Sequence, residues 1–185
     1  MTECKNIFAI LEELKENAKQ VDDDKLKDVE KLITEANRIF IGGAGRSGFA
    51  ARGFSNRLMH LGYTVYFVGE PTTPSIQEGD LLIVGSGSGN TASLVSNAKK
   101  AKEQGAKVAT LTMFPENKIG SMADAVIRVP GVTEKVEGKG QESVQASGSS
   151  FEELCWITYD AMVMDLMMIT NQTDKDLFKR HANME

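Results

Sequence analysis

The 185-residue chain is short of the residues that build metal and disulfide frameworks, with two cysteines and two histidines. Cys4 and Cys155 stand far apart and in no C-x-x-C, so neither a disulfide framework nor a zinc site is expected. Two imidazoles are too few for a histidine metal cluster. Long apolar runs are also missing. The most apolar late stretch, residues 161–169, is short and contains Asp165, so it does not read as a membrane span. Acidic residues inside the apolar pattern of the N-terminus argue against a signal peptide. Positive charge is not in excess: 21 Lys and Arg face 26 Asp and Glu, for a net charge of -5. Such a chain is not expected to bind nucleic acid through its overall field, and an anionic ligand needs a local site. The expected location is the cytoplasm, with no membrane and no nucleic-acid partner.

What is present is an ordinary globular composition, 41% hydrophobic and 25% charged, sized for one domain. Apolar residues at helical spacing predict a helix over 7–18. A second follows over 26–36, with N-cap candidates at Asp22 to Asp24. Residues 38–42 predict a strand that ends in glycines. A helix over 45–61 follows, with Gly62 at its C′ position. Further strands are expected over 64–68, 81–84, 108–112 and 125–129. The 81–84 strand is fully apolar and so buried on both faces. Helices are expected over 89–104, closed by Gly105, and over 151–169, with a short one over 117–122. Residues 130–148 read as a long polar loop, and 174–185 as a polar tail. The alternation implies parallel βαβ units: a three-layer α/β/α domain whose five-stranded parallel sheet is flanked by helices. The expected division is N-terminal helices over 1–36, the α/β core over 37–170 and the tail over 171–185.

Two glycine-rich turns carry the chemistry. Gly43-Ala-Gly-Arg-Ser-Gly48 matches G-x-G-x-x-G after a strand, and Glu70 lies near the end of the next strand, where a ribose-binding acid belongs. This turn alone fits a dinucleotide site, another phosphate or sugar site, or a plain strand-to-helix turn. The second, Gly85-Ser-Gly-Ser-Gly-Asn-Thr91, precedes a helix start. Its glycines allow close backbone approach, the helix N-terminus favours an anion, and Ser86, Ser88 and Thr91 add hydroxyl donors. Three hydroxyls exceed what capping needs, so a phosphate cradle is favoured over an ordinary capped turn. No Gly-Lys-Ser/Thr follows, so it is not a Walker A loop.

The paired loops resemble those of sugar isomerase (SIS) domains. Gly43-Ala-Gly-Arg-Ser-Gly48, Arg57-Leu-Met-His-Leu-Gly62, Val68-Gly-Glu-Pro-Thr-Thr-Pro74, Gly148-Ser-Ser-Phe-Glu152 and Arg180-His-Ala-Asn183 together resemble the 6-phospho-3-hexuloisomerase family. The resemblance runs from about residue 39 to the C-terminus. It implies a cofactor-free isomerase that interconverts D-arabino-3-hexulose 6-phosphate and fructose 6-phosphate in the ribulose monophosphate pathway of formaldehyde fixation. It also implies a homotetramer with sites near subunit interfaces. The alternatives are a non-catalytic sugar-phosphate sensor, another phosphosugar aldose–ketose isomerase, and a dinucleotide-dependent oxidoreductase, which would leave the second loop unexplained. A sensor would be expected to bring a DNA-binding segment, and the two leading helices are neither basic nor long enough for one.

The resemblance assigns Gly45, Arg46, Ser47, Ser86, Ser88 and Thr91 to the sugar phosphate and Glu152 to proton transfer. Moving a carbonyl between adjacent carbons needs a base that takes a proton beside it, and a carboxylate can pass that proton across a cis-enediol. Arg suits bidentate phosphate recognition, with a surface salt bridge as its plainer role. Ser149-x-x-Glu152 and Ser150-x-x-Glu153 also fit capping boxes, so one glutamate is expected to cap and the other to catalyse. His60 and His181 are the available imidazoles for ring opening or carbonyl protonation. The plainer reading of His60 is a cation at a helix C-terminus. His181, in the tail, is expected to close over a site, of its own chain or of another subunit. Met162, Met164, Met167 and Met168 read as core and subunit packing.

Overall fold

The computed structural model describes residues 3–132, 143–146 and 148–184. The long-loop expectation for 130–148 therefore lies, at 133–142 and 147, outside the described residues. The chain runs α1 (Lys5–Ala18), α2 (Asp23–Glu35), β1 (Ile39–Gly43), α3 (Gly45–His60), β2 (Val65–Phe67) and β3 (Leu81–Gly85). It continues through α4 (Ala92–Glu103), β4 (Lys107–Thr112), a 3₁₀ turn (Gly120–Met122), β5 (Ala125–Arg128), α5 (Ser149–Ile169) and α6 (Asp174–Phe178).

All five strands are parallel, in the order β2-β1-β3-β4-β5. Side-chain alternation divides them between two cores. Ile39, Ile41, Leu81, Ile83, Ala109 and Leu111 face a large cluster built with α1, α2, α3, α5 and α6. Phe40, Leu82, Val84 and Val108 face a smaller one built with α4 and Ile119. Burial on both faces explains why β3 reads as a continuous apolar run. At the far end of the sheet the Arg38 guanidinium grips Asp80 with two hydrogen bonds, 3.0 Å and 2.5 Å, tying the entries to β1 and β3. Helix α3 can lie close to α5 because Gly53 has no side chain: a Cβ there would sit 2.7 Å from the Trp156 ring.

Three element ends follow the sequence signals. The Asp22 carboxylate accepts from the Asp24 N–H at the start of α2. Gly62 and Gly105 take positive φ past α3 and α4. Each lies in a paired turn of the Schellman type, for example Tyr63 N–H to Leu58 C=O at 3.1 Å and Gly62 N–H to Met59 C=O at 2.9 Å.

Other expectations need correction. The helix expected over 89–104 begins at Ala92, which leaves the hydroxyl-rich segment as loop. The helix expected over 117–122 is only the 3₁₀ turn. The last long helix starts at Ser149, with Gly148 as N-cap in the left-handed region, so neither Ser149 nor Ser150 caps it and no capping box forms with Glu152 or Glu153. The tail holds α6, opened by a capping box between Thr173 and Asp176.

Candidate functional site

In an open parallel sheet, ligands bind beyond the carboxyl ends of the strands where the strand order reverses. Here that point lies between β1 and β3, and both glycine-rich turns leave the sheet there. They form the walls of a cleft of about 310 Å³. One wall is Ala44, Gly45, Arg46 and Ser47; the other is Gly85, Ser86, Gly87, Ser88 and Thr91.

The first turn is fixed by two glycines in contact. A Cβ on Gly43 would meet the Gly48 Cα at 2.8 Å, and one on Gly48 would meet the Gly43 carbonyl carbon and oxygen at 3.0 Å. Gly45 has φ +59°, the left-handed region. In the second turn the Gly89 N–H donates to the Ser86 hydroxyl at 3.2 Å. Thr91 is the N-cap of α4, yet its side chain makes no capping bond. The first N–H groups of α4 have no intrahelical acceptor, so the helix presents donors and a positive dipole end at the cleft.

Glu152 reaches this cleft from the first turn of α5, and Arg46 ion-pairs with it through Nε. The glutamate side chain is 17% exposed and the arginine 60%. The structure thus brings Gly45, Arg46, Ser47, Ser86, Ser88, Thr91 and Glu152 together. Glu153 faces away. It lines a neighbouring groove of about 440 Å³ with Ile10, Leu14, Phe49, Trp156 and Ile157, to which Arg46 and Glu152 also contribute. Among the described residues, one Glu153 carboxylate oxygen is buried without a hydrogen-bond partner.

The two histidines are brought together with each other and not with this cleft. Their rings stack at 5.2 Å with an 18° interplanar angle. His60 ends α3, whose first residue is Gly45, so the helix rise of 1.5 Å per residue puts the pair about 22 Å from the loops. Tail and helix are locked together: Arg180 donates to the His60 carbonyl at 3.0 Å and Gln172 to the Leu61 carbonyl at 2.9 Å. His60 does stand at the C-terminal end of α3. Burial, then the neighbouring His181 and Arg57 charges, push its pKa below the ordinary imidazole value.

Glu70 does not serve a dinucleotide. It pairs with Arg52 at 2.5 Å, the Arg52 guanidinium lies 3.9 Å above the Phe67 ring, and Glu70 is not among the residues lining the cleft. Sequence reasoning missed the apolar wall of the cleft, made by Leu94, Met113, Val132 and Phe151. The only available signal was position: Met113 directly follows β4, at the same carboxyl edge as the two turns. Among the described residues, no helix is long and apolar enough to cross a membrane.

Comparison with known proteins agrees with this geometry. The SIS domain family matches residues 32–154. The chain is 40% identical over 179 residues to a 3-hexulose-6-phosphate isomerase of Bacillus subtilis, covering 97% of each chain. It is 37% identical to a protein of the same name from Mycobacterium gastri, covering 97% of this chain and 90% of that one. Among solved structures, a Methanococcus jannaschii protein whose structure was read as inferring a function of 3-hexulose-6-phosphate isomerase superposes with a TM-score of 0.75. It is 36% identical and covers 97% of this chain and 95% of its own.

Proposed function

The chain belongs to the SIS domain family, among its 3-hexulose-6-phosphate isomerases, and from that premise we propose that it interconverts D-arabino-3-hexulose 6-phosphate and fructose 6-phosphate in the cleft between its glycine-rich turns. The observation that carries this reading is the convergence of two backbone cradles, four hydroxyl side chains and one carboxylate at the switch point of the sheet. The cradle of Ser86, Ser88, Thr91 and the α4 N-terminus suits a phosphate. Ser47 and the Gly45 turn lie opposite, where the sugar carbons of a phosphate-anchored substrate would run.

Glu152 then acts as the base. It takes the C2 proton of the 3-ketose, and the C–H electron pair forms the C2=C3 double bond of a cis-enediol as the C3 carbonyl oxygen gains a proton. Return of a proton to C3, with loss of the O2 proton, leaves the carbonyl at C2. Arg46, already paired with Glu152, can hold the carboxylate in place or reach the oxyanion that develops beside it.

The reading extends to an assembly. His60 and His181 lie a helix length from the cleft of their own chain, so imidazole help at that cleft is supplied by a second copy. Exposed Ile7, Phe8 and Leu11 on α1, with Trp156, Met164 and Met168 on α5, suit burial between copies of a homotetramer. The chain works as one SIS domain, in the cytoplasm, in the ribulose monophosphate pathway, without nucleic acid.

The test is NMR of fructose 6-phosphate incubated with the protein in D₂O. Deuterium entering at C3 of fructose 6-phosphate is expected, together with formation of the 3-hexulose 6-phosphate. Deuterium at C1 would mark an aldose–ketose isomerase on the same fold. Neither exchange nor 3-hexulose 6-phosphate would leave a sensing role.

A further inference from the structure

The phosphate cradle is a seven-residue turn, residues 85–91, with three glycines, and its shape is imposed from below by the end of β4 and the segment that follows it. The Gly87 carbonyl accepts from the Thr112 hydroxyl at 3.0 Å and from the Met113 N–H at 3.1 Å. The Gly89 carbonyl accepts from the Ile119 N–H at 3.2 Å. The Asn90 side-chain oxygen accepts from the Lys118 N–H at 3.3 Å. One buried side chain ties these together. Asn117 donates through Nδ2 to the Thr112 hydroxyl at 2.7 Å, and its oxygen accepts from the Ile119 and Gly120 N–H groups at 3.0 and 2.7 Å. Its amide also lies where a Gly89 side chain would be: a Cβ there would fall 1.7 Å from Nδ2.

The polarity of this network matters. An asparagine Nδ2 only donates, so the Thr112 oxygen must accept from it, and the single hydroxyl proton is left for Gly87. A trans peptide holds C=O and the following N–H antiparallel. Pinning the Gly87 carbonyl toward β4 therefore turns the Ser88 N–H the opposite way, to the cleft side. Pinning the Gly89 carbonyl does the same for the Asn90 N–H, which donates to the Ser88 hydroxyl at 3.4 Å and so leaves the Ser88 hydroxyl proton for the anion.

We propose that Thr112 and Asn117 are positioning residues for phosphate: they fix the Gly87 and Gly89 peptides so that the loop meets the anion with its N–H groups already aimed. The inference rests on the isomerase reading for its substrate but not for its ligand chemistry, a phosphate group. A preorganised loop lowers the ordering cost of binding, and it acts equally on ground state and transition state because the phosphate does not react.

The test uses the full chain with Thr112→Val, which removes the hydroxyl at nearly constant size, and Thr112→Ser, which restores it. Thr112→Val is expected to raise KM for fructose 6-phosphate about tenfold, with kcat held within about twofold, as loss of uniform binding requires. The Kd of inorganic phosphate, measured by calorimetry, rises by a similar factor. Thr112→Ser returns both to the parent values. Should Thr112→Val fail to fold, Asn117→Ala serves: it frees the Thr112 hydroxyl to turn from Gly87 and is expected to weaken phosphate to a similar extent. Unchanged KM and phosphate Kd, a loss confined to kcat, or failure of Thr112→Ser to restore binding overturns the proposal. A parent protein that binds phosphate but does not turn over fructose 6-phosphate sinks the isomerase reading alone, because the calorimetric comparison still decides this one.

Discussion

At the residue scale the decisive choice is between two adjacent glutamates. The Ser-x-x-Glu spacing let either cap α5, and it was Gly148 that settled the helix start, by taking the N-cap position in a left-handed conformation. Glu152 is therefore not spent on a helix end, and it sits in the cleft against Arg46. Replacing it with Gln should leave folding nearly unchanged, because a pair with a largely exposed arginine is worth roughly 0–1 kcal/mol. Catalysis should suffer far more: Glu152→Gln is expected to lower kcat by about 10²–10⁴, the usual contribution of a general base, with KM altered only slightly. Steady-state kinetics beside a urea melt checks both halves. A variant that kept full kcat would remove Glu152 from the mechanism. The candidate base was thus readable to within two neighbours, and what distinguishes them, Glu152 lining the cleft and Glu153 only the neighbouring groove, is invisible in a Ser-x-x-Glu count.

At the scale of elements, the sequence marks whole helices and strands better than their ends. Apolar spacing located α1 and α2, a long apolar stretch located α5, and the glycines after α3 and α4 announced their terminations by a local mechanism. The five-residue α6 escaped because it is too short to show a period, and residues 117–122, expected as a short helix, hold only the 3₁₀ turn. Glu30 of α2 carried no signal in the sequence, yet it is buried where α2 meets α5, facing Asp165. Burial first, then the Asp165 charge and hydrogen bond, push its pKa up to about 7. The folded state thus holds the proton more tightly than the unfolded chain does. Between about pH 4.5 and 7 the unfolded chain ionises first, so this site costs stability progressively as pH rises, and the cost is complete above 7. A Gln in its place keeps a donor toward Asp165 and does not ionise. Glu30→Gln is therefore expected to stabilise the fold by about 1–3 kcal/mol at pH 8 and by almost nothing at pH 4. Chemical denaturation across that range would show it; an equal gain at both pH values would mean that the effect is not ionisation.

At the scale of the whole molecule, the histidine pair and the cleft lie a helix length apart, which no sequence pattern could reveal. The motifs containing His60 and His181 were recognisable, but the distance between them and Glu152 is set by the length of α3, and their pairing by the Arg180 and Gln172 contacts that dock the tail. If one copy supplies the carboxylate and another the imidazole, two damaged proteins can repair each other. Glu152→Gln and His181→Ala, each weakly active alone, should regain about a quarter of the parent activity after unfolding and refolding as an equal mixture, since random pairing in a symmetric assembly leaves one site in four intact. No gain on mixing would mean that each chain completes its own site. The large core has a consequence in time as well. Its sheet residues Ile41, Ile83, Leu111 and Ile127 belong to strands finished by residue 128, but their cover includes Phe151, Leu154, Met162 and Leu166 of α5. During synthesis, at roughly 5–20 residues per second, a chain that has made β5 must wait for α5 to emerge. For that interval a half-built sheet lies open in the cell, the period in which chaperone help would count most.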